Sequence, residues 1–192
     1  MRYLSIDIEA TGLLPHDQII QFSFIPFCSE NGLEDSLERD YVVKCDSFEA
    51  LKPNLNPWVI EHNKELIEKS HAVGIEISEL KTKLTEYFDS PEVKKYFGDA
   101  PIVLFGKSMS SIDIPFLKRD LGHDWMEKYF CHRTLDLSCM VYGLMDLGML
   151  PRGLESGSKL MDYFQMGEVK HTALEDARNT ALIYLKILEK FK

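Results

Sequence analysis

The chain predicts an α/β domain with a mixed central sheet flanked by helices. Three observations carry that expectation. Strand-like segments fill the chain through Cys45, a strong hairpin signal sits among them, and strands alternate with helical periodicity thereafter. Early strands joined by hairpins pair antiparallel, and strands separated by helices pair parallel.

The elements follow in order. Met1 to Gly12 reads as a first strand that ends in a glycine turn. Ile19 to Ile25, rich in β-branched and aromatic residues, is a second strand. Asn31-Gly32 is a turn signal, and Asp40 to Cys45 makes a third short strand. Asn56-Pro57-Trp58 opens a helix with proline in its first turn. Ile75, Ile77, Leu80, Leu84, Tyr87 and Phe88 then recur at helical spacing up to Ser90-Pro91. Lys94 to Asp99 reads as a loop. Ile102 to Phe105 is a continuous apolar run of the kind a buried strand shows, and Gly106 ends it. Helices are expected over Ser110 to Leu121, broken by Gly122, then over Leu135 to Gly143 and Lys159 to Phe164. A long closing helix spans Thr172 to Phe191, with Ala177, Ala181, Tyr184, Ile187 and Leu188 on its apolar side. Phe22 and Phe24 are expected in the core.

The 192 residues suit a single domain over 1–192, and 45% apolar with 28% charged residues is the balance of a soluble globular protein. A net charge of −9, from 31 acids and 22 bases, excludes a broad basic surface for non-specific duplex binding. It leaves open an enzyme that holds a strand end through metal ions. Cys28, Cys45, Cys131 and Cys139 form no CxxC and have no histidine at zinc-finger spacing, so free thiols in a reducing cytoplasm are expected. No apolar run of signal-peptide length precedes Asp7, and none reaches the length of a membrane span, so no membrane partner is expected.

Acidic residues carry the chemistry. Asp7 and Glu9 lie two apart at the exit of the first strand, so they share one face. Neighbouring carboxylates repel unless a cation lies between them, and hard cations such as Mg²⁺ and Mn²⁺ prefer such oxygens. In an open α/β sheet, ligands bind outside the strand ends, where this pair falls. Asp113 follows the Ile102–Gly106 segment and reaches the same end if that strand lies beside the first. Thr172 and Glu175 form a capping box, with Thr172 as N-cap. His171 and Asp176 then occupy the flanking positions that normally touch in a hydrophobic staple, so local geometry brings an imidazole to a carboxylate.

These motifs, in this order, resemble the DEDDh family of 3′–5′ exonucleases, which includes proofreading subunits, oligoribonuclease and ribonuclease T. The matching residues are Asp7 and Glu9 with Thr11-Gly12 after them, Asp113 with Phe116-Leu117 after it, and His171 with Asp176. The sister subfamily has tyrosine four residues before the last aspartate. Thr172 stands there, which indicates the histidine branch. The chain departs from relatives at Ser108, where many have asparagine, at Ile112, where many have an aromatic residue, and at Gln21, where proofreading members often have glutamate. None of these removes a metal ligand.

The resemblance implies a ribonuclease H-like fold and a metal-dependent exonuclease that releases nucleoside 5′-monophosphates from the 3′ end of single-stranded DNA or RNA. It implies two Mg²⁺ or Mn²⁺ ions about 4 Å apart. Asp7 would bridge them, Glu9 and Asp176 would complete one, and Asp113 would help hold the second. His171 would act as general base. Thr11, Gly12, Leu13 and Ser108 would line the substrate site, with Leu13 or Leu14 wedged between the last two bases. Lys94-Lys95 and Lys118-Arg119 are candidate phosphate contacts, though solvated surface charge is the simpler reading of each. A homodimer or association with a polymerase is admitted by the behaviour of relatives. The alternatives are a catalytically inactive nuclease-fold module that binds nucleic acid or protein, and a phosphodiesterase for small nucleotides.

Overall fold

The computed structural model describes residues 1–167 and 172–192. Its centre is a six-stranded mixed sheet. β1 (Arg2–Ala10) pairs antiparallel with β2 (Ile19–Cys28) along almost its whole length. β3 (Gly32–Leu33) and β4 (Arg39–Val42) both pair antiparallel with β2. On the other side of β1, β5 (Leu104–Gly106) runs parallel to it, and β6 (Leu135–Asp136) runs parallel to β5. Antiparallel strands first and parallel strands afterwards is the order the hairpin and helix signals dictate.

The ten α-helices among the described residues are α1 (Phe48–Leu51), α2 (Pro57–His62), α3 (Lys64–Val73), α4 (Ile77–Asp89), α5 (Pro91–Phe97), α6 (Asp113–Leu121), α7 (His123–Tyr129), α8 (Leu137–Asp146), α9 (Gly157–Tyr163) and α10 (Ala173–Lys190). They cover both faces of the sheet, which is why every residue of β2 is buried. Alternation along β1 sorts its side chains. Leu4, Ile6 and Ile8 pack with Leu80, Leu84, Phe88 and Phe116 of α4 and α6. Tyr3 packs on the opposite face with Leu137, Val141, Tyr184 and Ile187 of α8 and α10. Ser5, Asp7 and Glu9 share that second face, so the acids point toward α10. Ile20, Phe48, Val59 and Ile67 bind α1 to α3 against the sheet as a smaller cluster.

Four expectations are corrected. Residues 94–97 are not loop but the end of α5, because Ser90 accepts from the Val93 amide and Pro91 fills the first turn, two starting signals that outweigh the charged Lys94-Lys95. Ile102 makes only an isolated bridge to Phe130, so the strand is the shorter Leu104–Gly106. Leu135 and Asp136 are strand, and α8 begins at Leu137 because Asp136 caps it. The helix expected from Ser110 starts at Asp113. Helices α3 and α7 show no periodic apolar stripe in sequence, because each buries only two residues, Ile67 with Ser70 and Met126 with Tyr129.

Candidate active site

Two elements far apart in sequence build the site. Asp7 and Glu9 leave β1 on one face, half-buried, beside the N-terminus of α10. Thr172 caps that helix through its hydroxyl, which accepts from the Glu175 amide, the threonine half of the capping box. Asp176 lies in the first turn, its amide bonded to the Thr172 carbonyl at 2.9 Å. One carboxylate oxygen each from Asp7, Glu9 and Asp176 falls within 4.8 Å of the others. A carboxylate in the first turn also complements the helix dipole.

Asp113 is not in that triad but is fixed against it. It is only 5% exposed, and its Oδ1 accepts from the backbone amide of Ile8, between Asp7 and Glu9, at 3.0 Å. β5 has ended by then, so Asp113 satisfies a β1 amide that the sheet leaves open.

The electrostatics follow from burial and crowding. Burial, then Asp113, Glu9 and Asp176, raise the Asp7 carboxyl well above the usual carboxylate range. Asp113 is pushed up to about 7, chiefly by burial, with Asp136 and Glu9 adding repulsion while hydrogen bonds from the amides of Asp113 and Ile8 oppose it. Buried anions of one sign need a proton or a cation between them. All donors are carboxylate oxygens, the set that suits Mg²⁺ or Mn²⁺ rather than a soft metal. The residues present therefore fit the group that the resemblance implies.

Two charged residues near the site were missed from sequence. Asp136 caps α8 and accepts from the Ser108 and Ser138 amides at 3.1 and 2.9 Å. A strand-then-cap reading of Leu135-Asp136-Leu137-Ser138 could have found it. Lys107, directly after Gly106, lowers the proton affinity of Asp7 by its charge. Its ammonium lies 3.1 Å from where a side chain at Gly157 would begin, a contact that no local pattern announces.

Beside the acids is a cleft of about 560 Å³ lined by Glu9, Leu13, Leu14, Trp58, Asn63 and Ile112, among others. Leu13 and Trp58 are exposed, at 72% and 57%. Thr11 and Gly12 shape the loop that presents Leu13. Thr11 is 1% exposed, donates to Asp17 Oδ1 at 3.0 Å and accepts from the Gln18 amide at 2.9 Å. Asp17 Oδ2 accepts from the Leu14 amide at 2.7 Å. A Cβ at Gly12 would sit 2.4 Å from the Asp17 carboxylate, so any side chain there would push that carboxylate off its bonds to Thr11 and Leu14. Arg119 donates to the carbonyls of Pro15 and Asp17 and to Asp120, and Lys94 pairs with Asp89. Both side chains are thus engaged within the protein. Ser108 is half-buried with φ 57°, its hydroxyl 3.0 Å from that of Ser138. His171 lies outside the described residues.

Residues 4–184 match the model of the exonuclease family RNase_T. No curated protein matches the chain. Among solved structures, cell-death related nuclease 4 (CRN-4) superposes with a TM-score of 0.72 at 15% identity, covering 98% of this chain and 64% of that one. The nuclease domain of 3′hExo, a DEDDh family member solved with rAMP, gives 0.69 at 16% identity, covering 98% and 92%. E. coli exonuclease I, in complex with a 5cy-dT13 oligonucleotide, gives 0.64 at 16% identity, covering 100% and 41%. The chain thus spans less than two thirds of the first and last of these proteins. At such identities the likeness is one of fold, a ribonuclease H-like mixed sheet.

Proposed function

The chain belongs to the RNase_T exonuclease family, and from that premise we propose that it is a divalent-metal-dependent 3′–5′ exonuclease of the DEDDh branch acting on single-stranded nucleic acid. The observation that carries this reading is the convergence of Asp7, Glu9 and Asp176 to within 4.8 Å, from one strand and one helix separated by most of the chain. Asp7, Glu9 and Asp176 would hold one ion, and Asp7 with Asp113 a second. Bound there, a pair of divalent cations supplies charge stabilisation for in-line displacement at phosphorus and lowers the proton affinity of the attacking water.

The chain's own side chains do the rest. His171 takes the water's proton on an imidazole nitrogen, a role suited to a group that titrates near neutral pH. Asp113, held on the Ile8 amide, keeps the buried wall of the site anionic once its proton is displaced. The cleft beside Glu9 takes the terminal nucleotide, with Leu13 or Leu14 against the base and the backbone after Thr11-Gly12 near the sugar. Trp58, an exposed lining residue of the same cleft with one face stacked on His62, offers its other face for a base to stack on.

The test is incubation of labelled DNA and RNA oligomers of several lengths with Mg²⁺, Mn²⁺ or EDTA. Metal-dependent release of nucleoside 5′-monophosphates supports the proposal. Tight oligomer binding without degradation in either metal would point instead to an inactive nuclease-fold module. Cleavage confined to dinucleotides would point to a small-nucleotide phosphodiesterase.

A further inference from the structure

A carboxylate triad shared between a sheet and a helix depends on how the helix is set on the sheet. Sliding an α-helix by one residue moves each side chain about 1.5 Å along the axis. The fully buried apolar residues in the first half of α10 are Ala173, Ala177 and Ala181. Such small side chains resist a slide weakly, because they present little to interlock. Tyr184 and Ile187 anchor the helix farther along, but beside Asp176 its fine setting falls to directional bonds.

Two buried polar side chains supply them. Ser5, fully buried on β1 two residues before Asp7, donates its hydroxyl to the Ala177 carbonyl at 2.7 Å, one residue past Asp176. Gln21 is the cross-strand partner of Glu9. Its Oε1 accepts from the Ala173 amide at 3.4 Å, and its Nε2 donates to Asp40 Oδ1 at 2.7 Å. Ser23 also donates to that Asp40 oxygen, at 2.6 Å. Gln21 thereby satisfies an orphan amide at the start of α10 that Thr172 does not reach. An amide side chain suits this place, since a glutamate would set two carboxylates 2.7 Å apart.

We propose that Ser5 and Gln21 are positioning residues that hold Asp176 within ligand distance of Asp7 and Glu9. This rests on the metal-site reading. Neither touches the reacting atoms. Each bonds the backbone of α10 on one side of Asp176, Ser5 at position 177 and Gln21 at position 173, so together they pin the first turns of that helix to β1 and β2.

The test is calorimetric titration with Mn²⁺ of the wild-type protein, Ser5→Ala, Gln21→Met and the double variant, with melting temperature measured without metal. Ile187→Val, a buried change farther along the same helix, is the control for stability loss alone. Asp7→Ala defines which Mn²⁺ binding belongs to the site. Ser5→Ala and Gln21→Met should each weaken that binding by about threefold to tenfold, the usual worth of one hydrogen bond, and the double variant by more. Ile187→Val should bind within about twofold of wild type despite a comparable loss of melting temperature. Wild-type Mn²⁺ affinity in both Ser5→Ala and Gln21→Met would overturn the proposal, as would an equal loss in Ile187→Val. Absence of Asp7-dependent Mn²⁺ binding in the wild-type protein would remove the metal reading itself, and this proposal with it.

Discussion

Asp113→Asn should make the metal-free protein more stable at pH 8 while reducing what metal adds. Burial and neighbouring acids push the Asp113 carboxyl from 3.8 to about 7. The native state therefore binds more protons than the unfolded chain between those values, and stability falls as pH rises through that window. At about 1.36 kcal/mol per pH unit, the ionised form costs at most about 4 kcal/mol at pH 8, and less than half of that at pH 5. An asparagine keeps an oxygen for the Ile8 amide, which bonds Asp113 Oδ1 at 3.0 Å. It removes the charge and leaves the contact. A realised gain of about 2 kcal/mol would raise the melting temperature by about 4–8 °C in a chain of this size. The assay is calorimetric melting of both proteins in EDTA at pH 5 and pH 8, repeated with Mn²⁺. The gain should be larger at pH 8, and the Mn²⁺-induced rise should be smaller in the variant. Equal destabilisation at both pH values would refute the reasoning, because Asp113 would then be a hydrogen-bonding strut and not a suppressed charge.

Further outcomes follow from the same geometry. Asp7→Ala should lose both Mn²⁺ binding and turnover, whereas His171→Ala should keep metal and lose about 10²–10⁴ in single-turnover rate, the usual worth of a general base. Metal loss in His171→Ala equal to that in Asp7→Ala would make the imidazole a ligand. Gly12→Ala should force its methyl into the Asp17 carboxylate and break the Thr11–Asp17–Leu14 bonding. It should cost about 1–3 kcal/mol of stability and raise KM more than it lowers kcat, as read from melting and steady-state kinetics. Unchanged KM would mean that this loop does not carry substrate.

What could be read from sequence was what has a local cause. The Asp7–Glu9 pair follows from strand alternation, and the place of Asp176 from the Thr172–Glu175 capping box, so all three triad members were placed by rules that act within a few residues. Asp113 was placed by the strand before it, although that strand is shorter than its apolar run. Other features had only tertiary causes. Asp136 comes to Asp113 because β6 lies beside β5, a pairing of two residues with no pattern of its own. Lys107 reaches the site because Gly157 leaves room on a distant helix. Ser5 reads as a polar interruption of an apolar strand until α10 is laid over it. The helix hidden at Lys94-Lys95 shows the converse failure, since a proline start and a serine cap outweighed an exposed charged surface.

The most direct test of the central claim is the polarity of degradation. A 5′-labelled single-stranded oligomer with a free 3′ end, with Mg²⁺ or Mn²⁺ present, should shorten stepwise and release nucleoside 5′-monophosphates. The same strand with a blocked 3′ end should stay intact, a blocked 5′ end should change nothing, and EDTA should stop the reaction. Degradation that ignores the 3′ block, internal cuts in a circular single strand, or full activity in EDTA would contradict a metal-dependent 3′–5′ exonuclease built on Asp7, Glu9, Asp113 and Asp176.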